Sequence, residues 1–167
     1  AAAEYILTHM RQPDGALFAT ARGGRAHLNA YLDDYAFLVQ GLLDLYESDF
    51  DQRWIERALE LSEIVRTRFE DEHNGGYFTT SNDHERLIAR LKSPQDGALP
   101  SGNGVHALNL LRLAELTGRR DLALEAGRTL KSMGQLVNRF PAGFSQLLCA
   151  VDFLAAGPRE IVISGEA

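Results

Sequence analysis

Apolar residues recur along this chain with two different spacings. Over residues 31–47, Phe37, Leu38, Gly41, Leu42, Leu45 and Tyr46 follow the i, i+1, i+4, i+5, i+8, i+9 spacing of one helix face. A second helix is expected over 52–69. Trp54, Ile55, Ala58, Leu59, Leu61, Ser62 and Val65 mark its buried side, with Arg53, Arg57, Glu60, Arg66 and Arg68 on its wet side. Further helices are expected over 105–116, 121–138 and 144–155, and residues 1–10 read as the end of another. Shorter runs have a strand character. ALFAT (16–20) lies between Pro13-Asp14-Gly15 and Gly23-Gly24, HNGGYFTT (73–80) follows the second helix, and EIVIS (160–164) lies in a strand-like segment spanning 156–167. ERLIARLK (85–92) is ambiguous and reads as an extended arm.

The helical segments repeat. Leu42-Leu43 matches Leu110-Leu111, Leu45 matches Leu113, Trp54 matches Leu122 and Ala58 matches Ala126, at one offset of 68 residues (110 − 42). The linkers repeat too: Asp14-Gly15-Ala16-Leu17-Phe18 resembles Asn74-Gly75-Gly76-Tyr77-Phe78. Each unit is a more apolar helix, a short turn and a more amphipathic helix. The expected fold is therefore all-α: a single domain over 1–167 made of repeated helical hairpins joined by short β-hairpin linkers. The more apolar helices would line the inside of a toroid and the amphipathic ones its outside. Leu42, Leu45, Leu110, Leu111 and Leu113 should be buried between hairpins. Both ends of the sequence are abrupt, which gives the expectation of a partial ring cut from a longer protein.

Composition narrows the function. A net charge of −6 disfavours a nucleic-acid surface, which is normally basic. One cysteine, Cys149, excludes an internal disulfide; in the run QLLCAVDFL it reads as an inert core thiol. No apolar window is long enough to span a membrane and no signal-peptide pattern is present, so a cytoplasmic location is expected. No cofactor motif is visible and none is expected. The histidines form no HxxxH or HExxH pair, so no metal site is expected either.

Candidate chemistry gathers where linkers enter the apolar helices. Asp33 and Asp34 open one such helix. They could act as acid and base on a glycosidic bond, or one could cap the helix while the other favours its dipole. Asp96, Ser101 and Asn103 precede or open the other, as a polar rim for sugar hydroxyls or as a loop held by its own turns. Ser101 and Asn103 are both N-cap residue types. Tyr77 and Phe78 could stack on a sugar or pack the linker onto the helices. Ser101 lacks the GxSxG elbow of a hydrolase nucleophile.

Three stretches, YLDDYAFLVQGLLDLYE, HNGGYFTT and DGALPSGNGVHALNLLRL, in that order, resemble the helical part of the spermatogenesis-associated protein 20 family. EIVISGE resembles the strand after that family's last hairpin. The resemblance implies an (α/α)6 toroid related to six-hairpin glycosidases and N-acylglucosamine 2-epimerases, of which this chain is about half. The family's N-terminal thioredoxin-like domain has no counterpart here, since there is no CxxC. Histidine acts as acid and base in epimerases, which makes His27 and His106 candidates. The expectation is a sugar-binding cleft, hydrolytic or epimerising, lined by Asp33, Asp34, Asp96, Ser101, Asn103, Tyr77 and His27. The competing expectation is a non-catalytic helical scaffold whose partner is a protein, a thioredoxin-like domain, the rest of the ring or a second copy.

Overall fold

A computed structural model describes residues 2–85 and 88–157. It contains α1 (Ala2–His9), β1 (Phe18–Arg22), β2 (Arg25–Asn29), α2 (Leu32–Asp49), α3 (Arg53–Phe69), α4 (Gly102–Thr117), α5 (Arg120–Arg139) and α6 (Ser145–Ala156), with a single 3-10 turn at Pro141–Gly143 before α6. The chain is thus mainly helical with one antiparallel two-stranded hairpin, β1-β2, which turns at Gly23-Gly24. Among the described residues the second linker forms only an isolated bridge, Glu70 to Tyr77, where the first has Arg11 to Leu17. The strand expected over 160–164 lies outside the described residues.

The helices pack as the repeat requires. α2 lies against α3 and α4, and α4 lies against α5 and α6, so α2, α4 and α6 form a row backed by α3 and α5. Successive members of the row run parallel. Near their starts Asp33 meets Gly102. Further along, the Asn109 amide donates to the Ala36 carbonyl at 2.8 Å. Further still, Arg112 pairs with Asp44 at 2.8 Å and Glu47 at 2.7 Å. Gly104 in turn meets Gln146 and Leu147 at the start of α6. All three N-termini therefore lie at one end.

α4 is nearly apolar all round and is wrapped on several sides, so its first six residues are all buried, as are Leu110, Leu111 and Leu113. α5 is amphipathic and buries only the stripe Leu122, Glu125, Ala126, Thr129, Leu130, Met133 and Val137. Two expectations are corrected. Leu45, the equivalent of Leu113, is only half-buried, because α1 stands across an open groove from that flank of α2 rather than packing directly on it. Cys149 is exposed rather than in the core: α6 turns Leu147 and Ala150 inward and leaves Cys149 on its outer side.

Candidate functional site

The convergent helix starts are organised by an acidic residue in the loop before α4. Asp96 accepts the Ser101 N–H through Oδ1 and the Gln146 N–H through Oδ2, both at 2.9 Å. One carboxylate thereby serves the open N-termini of α4 and α6, where unpaired N–H groups and the helix dipole favour negative charge. Its own N–H donates to the Gly143 carbonyl at 2.8 Å, which fixes the loop to the turn before α6. Ser101 and Asn103, the residue types suited to capping, do other work. The Ser101 hydroxyl donates backwards to the Ser93 carbonyl at 2.7 Å. The fully buried Asn103 amide imitates a peptide group: Oδ1 accepts the Tyr77 N–H at 2.8 Å and Nδ2 donates to the Tyr77 carbonyl at 3.0 Å. Gly76 permits this approach. It has φ +71°, and a Cβ there would crowd Asn103 Oδ1 and Met133.

Tyr77 enters this end from inside the protein. Its ring is 1% exposed, so it offers no face to a ligand. Its hydroxyl donates to Glu125 Oε1 at 2.5 Å, and its ring meets the His106 ring in a T-shaped contact with centroids 4.7 Å apart. Burial and the neighbouring Glu125 charge push the Tyr77 hydroxyl well above its ordinary range, and burial raises Glu125 as well. Both ring nitrogens of His106 are buried without a hydrogen-bond partner, and burial depresses its pKa to about 3. A neutral, sealed imidazole has no route to a substrate. Glu125 had no place among the sequence candidates, although its position within the apolar stripe of α5 marks it as buried.

The remaining candidates separate. Asp34 accepts the Tyr31 N–H through Oδ2 at 2.8 Å, an N-terminal capping bond for α2. Asp33, beside it, is exposed and makes no side-chain ion pair among the described residues. Desolvation raises its pKa, the Gly102 N–H opposes that shift, and the charge of Asp34 adds to it. His27 sits apart on β2, exposed, with Nδ1 3.3 Å from the Arg25 carbonyl. The structure thus brings Asp33, Asp96, Ser101 and Asn103 to one end and leaves His27 outside. Among the described residues no group of three or more His, Cys, Asp or Glu could hold a metal ion.

A groove of about 690 Å³ opens next to Asp33 and Asp34. α1 forms one wall through Ile6, the β-hairpin contributes Phe18, and α2 forms the other wall through Leu38, Gly41 and Leu45. Its lining is mostly apolar; its charged groups are Asp33, Asp34 and the Glu4–Arg53 ion pair, so it offers a sugar few other hydrogen-bonding groups.

No protein-family model matches the chain. Spermatogenesis-associated protein 20 of Rattus norvegicus is 41% identical over 137 residues, and that of Homo sapiens is 39% identical over the same length; each match covers 81% of this chain. An uncharacterized protein of Caenorhabditis elegans is 30% identical over 144 residues, or 86% of the chain. The chain spans only 17% of the length of the two mammalian relatives and 19% of the nematode one. The matched share of the chain, the identities and the three ordered stretches agree, and over these residues the chain belongs to the spermatogenesis-associated protein 20 family.

Proposed function

We propose that this chain is a section of a helical-hairpin toroid that acts as a non-catalytic scaffold. One observation carries the reading: the polar groups at the convergent helix starts are already spent on the fold. Asp96 serves two helices, Asn103 holds Tyr77, Ser101 holds Ser93 and Asp34 caps α2. A sugar site needs polar atoms that await a ligand. The exposed flank of α2 is instead apolar, the chemistry of a surface that receives a helix. The partner classes are further helical hairpins or a thioredoxin-like domain. No described helix is long and apolar enough to cross a membrane, and a single exposed thiol suits a reducing, cytoplasmic setting.

Asp33 carries a second reading, a carbohydrate-active cleft. It lines the groove while holding only the Gly102 N–H at the start of α4, and a raised pKa suits a general acid. The two readings part in one experiment: turnover of a panel of neutral aryl glycosides and of N-acyl hexosamines by the wild-type chain and by Asp33→Asn. The scaffold reading expects no turnover by either. Turnover that disappears in Asp33→Asn overturns it in favour of the cleft.

A further inference from the structure

Two of the chain's asparagines are followed by glycine, in Asn74-Gly75 and Asn103-Gly104. Both pairs lie at one mooring, the contact in which Asn103 holds the backbone of Tyr77. An Asn-Gly pair can modify itself. Glycine has no Cβ to hinder its own nitrogen, and its backbone turns freely. Once that nitrogen gives up its proton to solvent base, it can attack the asparagine Cγ. An N–Cγ bond forms, the Cγ–Nδ2 bond breaks, and the amide nitrogen leaves as ammonia. Water then opens the ring to aspartate or isoaspartate. One water is taken up and one ammonia released, with no change of oxidation state.

Asp71 clamps the first pair in a form that resists this step. The Gly75 N–H, whose proton must leave, donates to the Asp71 carbonyl at 2.8 Å. The Asp71 carboxylate accepts the Asn74 N–H at 3.0 Å and the Asn74 Nδ2 at 3.1 Å, which pins the side chain that would be attacked. Lys92 closes the clamp, donating to Asp71 Oδ2 and to the Gly75 carbonyl, both at 2.6 Å. Asn74 itself is exposed, so solvent base and water reach it and the restraint is the clamp rather than burial. We propose that Asn74-Gly75 is a latent self-deamidation site, silent while the clamp is closed and reactive when the linker opens. The product cannot reclose. It sets a second carboxylate where the Asn74 amide now donates to Asp71. Isoaspartate also adds a methylene to the backbone next to Gly75, where even a Cβ would meet the Arg128 carbonyl and Ser132 at 3.1 Å. The next two residues are Gly76 and Tyr77, so a transient opening of the mooring becomes a permanent one. The inference is independent of whether the chain is a scaffold or a cleft.

Asn103-Gly104 supplies the internal reference. Asn103 is fully buried in the first turn of α4, so its reaction awaits loss of the helix packing. The test is peptide mapping by mass spectrometry during incubation at mildly alkaline pH, reading the gain of about 1 Da and the isoaspartate at each site. In guanidinium chloride the wild-type chain should react at both sites. In buffer the folded wild type should react at Asn74 at least roughly tenfold more slowly than that. Asp71→Ala should restore fast reaction at Asn74 and leave Asn103 intact. If Asp71→Ala loses its fold, Asn103 reacts as well. Lys92→Met is then the milder opening, and Asn74 should still react faster than in wild type while Asn103 does not. Folded wild type that reacts at Asn74 as fast as the unfolded chain overturns the proposal. So does a pair of variants in which Asn74 is accelerated no more than Asn103.

Discussion

Tyr35 and Asn103 occupy equivalent positions in the two repeats and perform the same task with different groups. The Tyr35 hydroxyl accepts the Leu17 N–H at 2.8 Å, and the Asn103 carbonyl accepts the Tyr77 N–H at 2.8 Å. Leu17 and Tyr77 are themselves equivalent linker residues, 2% and 1% exposed. Each repeat thus ties a buried linker amide to the first turns of its apolar helix. Tyr35→Phe keeps the ring against Phe69 but leaves the Leu17 N–H unpaired. The expected loss is about 1–3 kcal/mol by urea titration. Asn103→Ala orphans both the N–H and the carbonyl of Tyr77 and should lose more. A Tyr35→Phe chain as stable as wild type would show that the Leu17 amide finds another acceptor.

Asp96 separates a structural role from a ligand-binding one. Asp96→Ala removes the acceptor from two helix starts, and each lost cap costs about 0.5–2 kcal/mol. Asp96→Asn keeps one carbonyl oxygen and offers an amide N–H₂ where the second N–H must donate, so it should lose at least one of the two caps. Ranking the three chains by thermal denaturation should give wild type above both variants. Equal stability of wild type and Asp96→Asn would contradict the double cap.

His106 makes the fold sensitive to acid. In the unfolded chain it binds a proton below about pH 6.5. In the folded chain it refuses the proton until about pH 3. The unfolded state therefore holds more protons between those values, and stability falls as pH falls through that window. His106→Leu removes the effect. Each pH unit below 6.5 should favour the leucine chain by up to about 1.4 kcal/mol relative to wild type. Near pH 7 the two should lie within about 1 kcal/mol, because the ring nitrogens of His106 make no hydrogen bond to lose. Urea titrations at pH 7 and pH 5 check both statements, and a gap that stays constant between them would count against the buried neutral ring.

Much of the helical order was legible because periodicity reports burial. The helices expected over 31–47, 52–69 and 121–138 map onto α2, α3 and α5 within a few residues, and the 68-residue offset places α2 and α4 side by side. The sequence pattern starts α4 at Val105, three residues late, because Gly102 and Gly104 read as loop. Their role depends on Asp33 and α6 approaching closely, which local sequence does not record. The candidate site was harder for the same reason. Ser101 and Asn103 have capping chemistry, but the cap of α4 comes from Asp96, and Asp96 also reaches 50 residues ahead to Gln146. Tyr77 has the composition of a stacking platform, and only the assembled fold shows its ring enclosed by α4 and α5.

The two linkers differ in length while their ends do not. From Leu17 to Tyr35 the separation is 18 residues, and from Tyr77 to Asn103 it is 26, yet both spans close on the same kind of bond. The first is folded into a β-hairpin; the second, eight residues longer (26 − 18), has room for the loop that holds Asp96. What the repeat fixes is a pair of moorings, and the chain between them is free to vary. Lengthening such a span costs little, about 0.6 kcal/mol for each doubling. The hairpin tip at Gly23-Gly24 is exposed, with no atom near an added Cβ. Foreign sequence grafted at that tip would be carried clear of the row of helices, which makes the unit a frame for display as well as a building block.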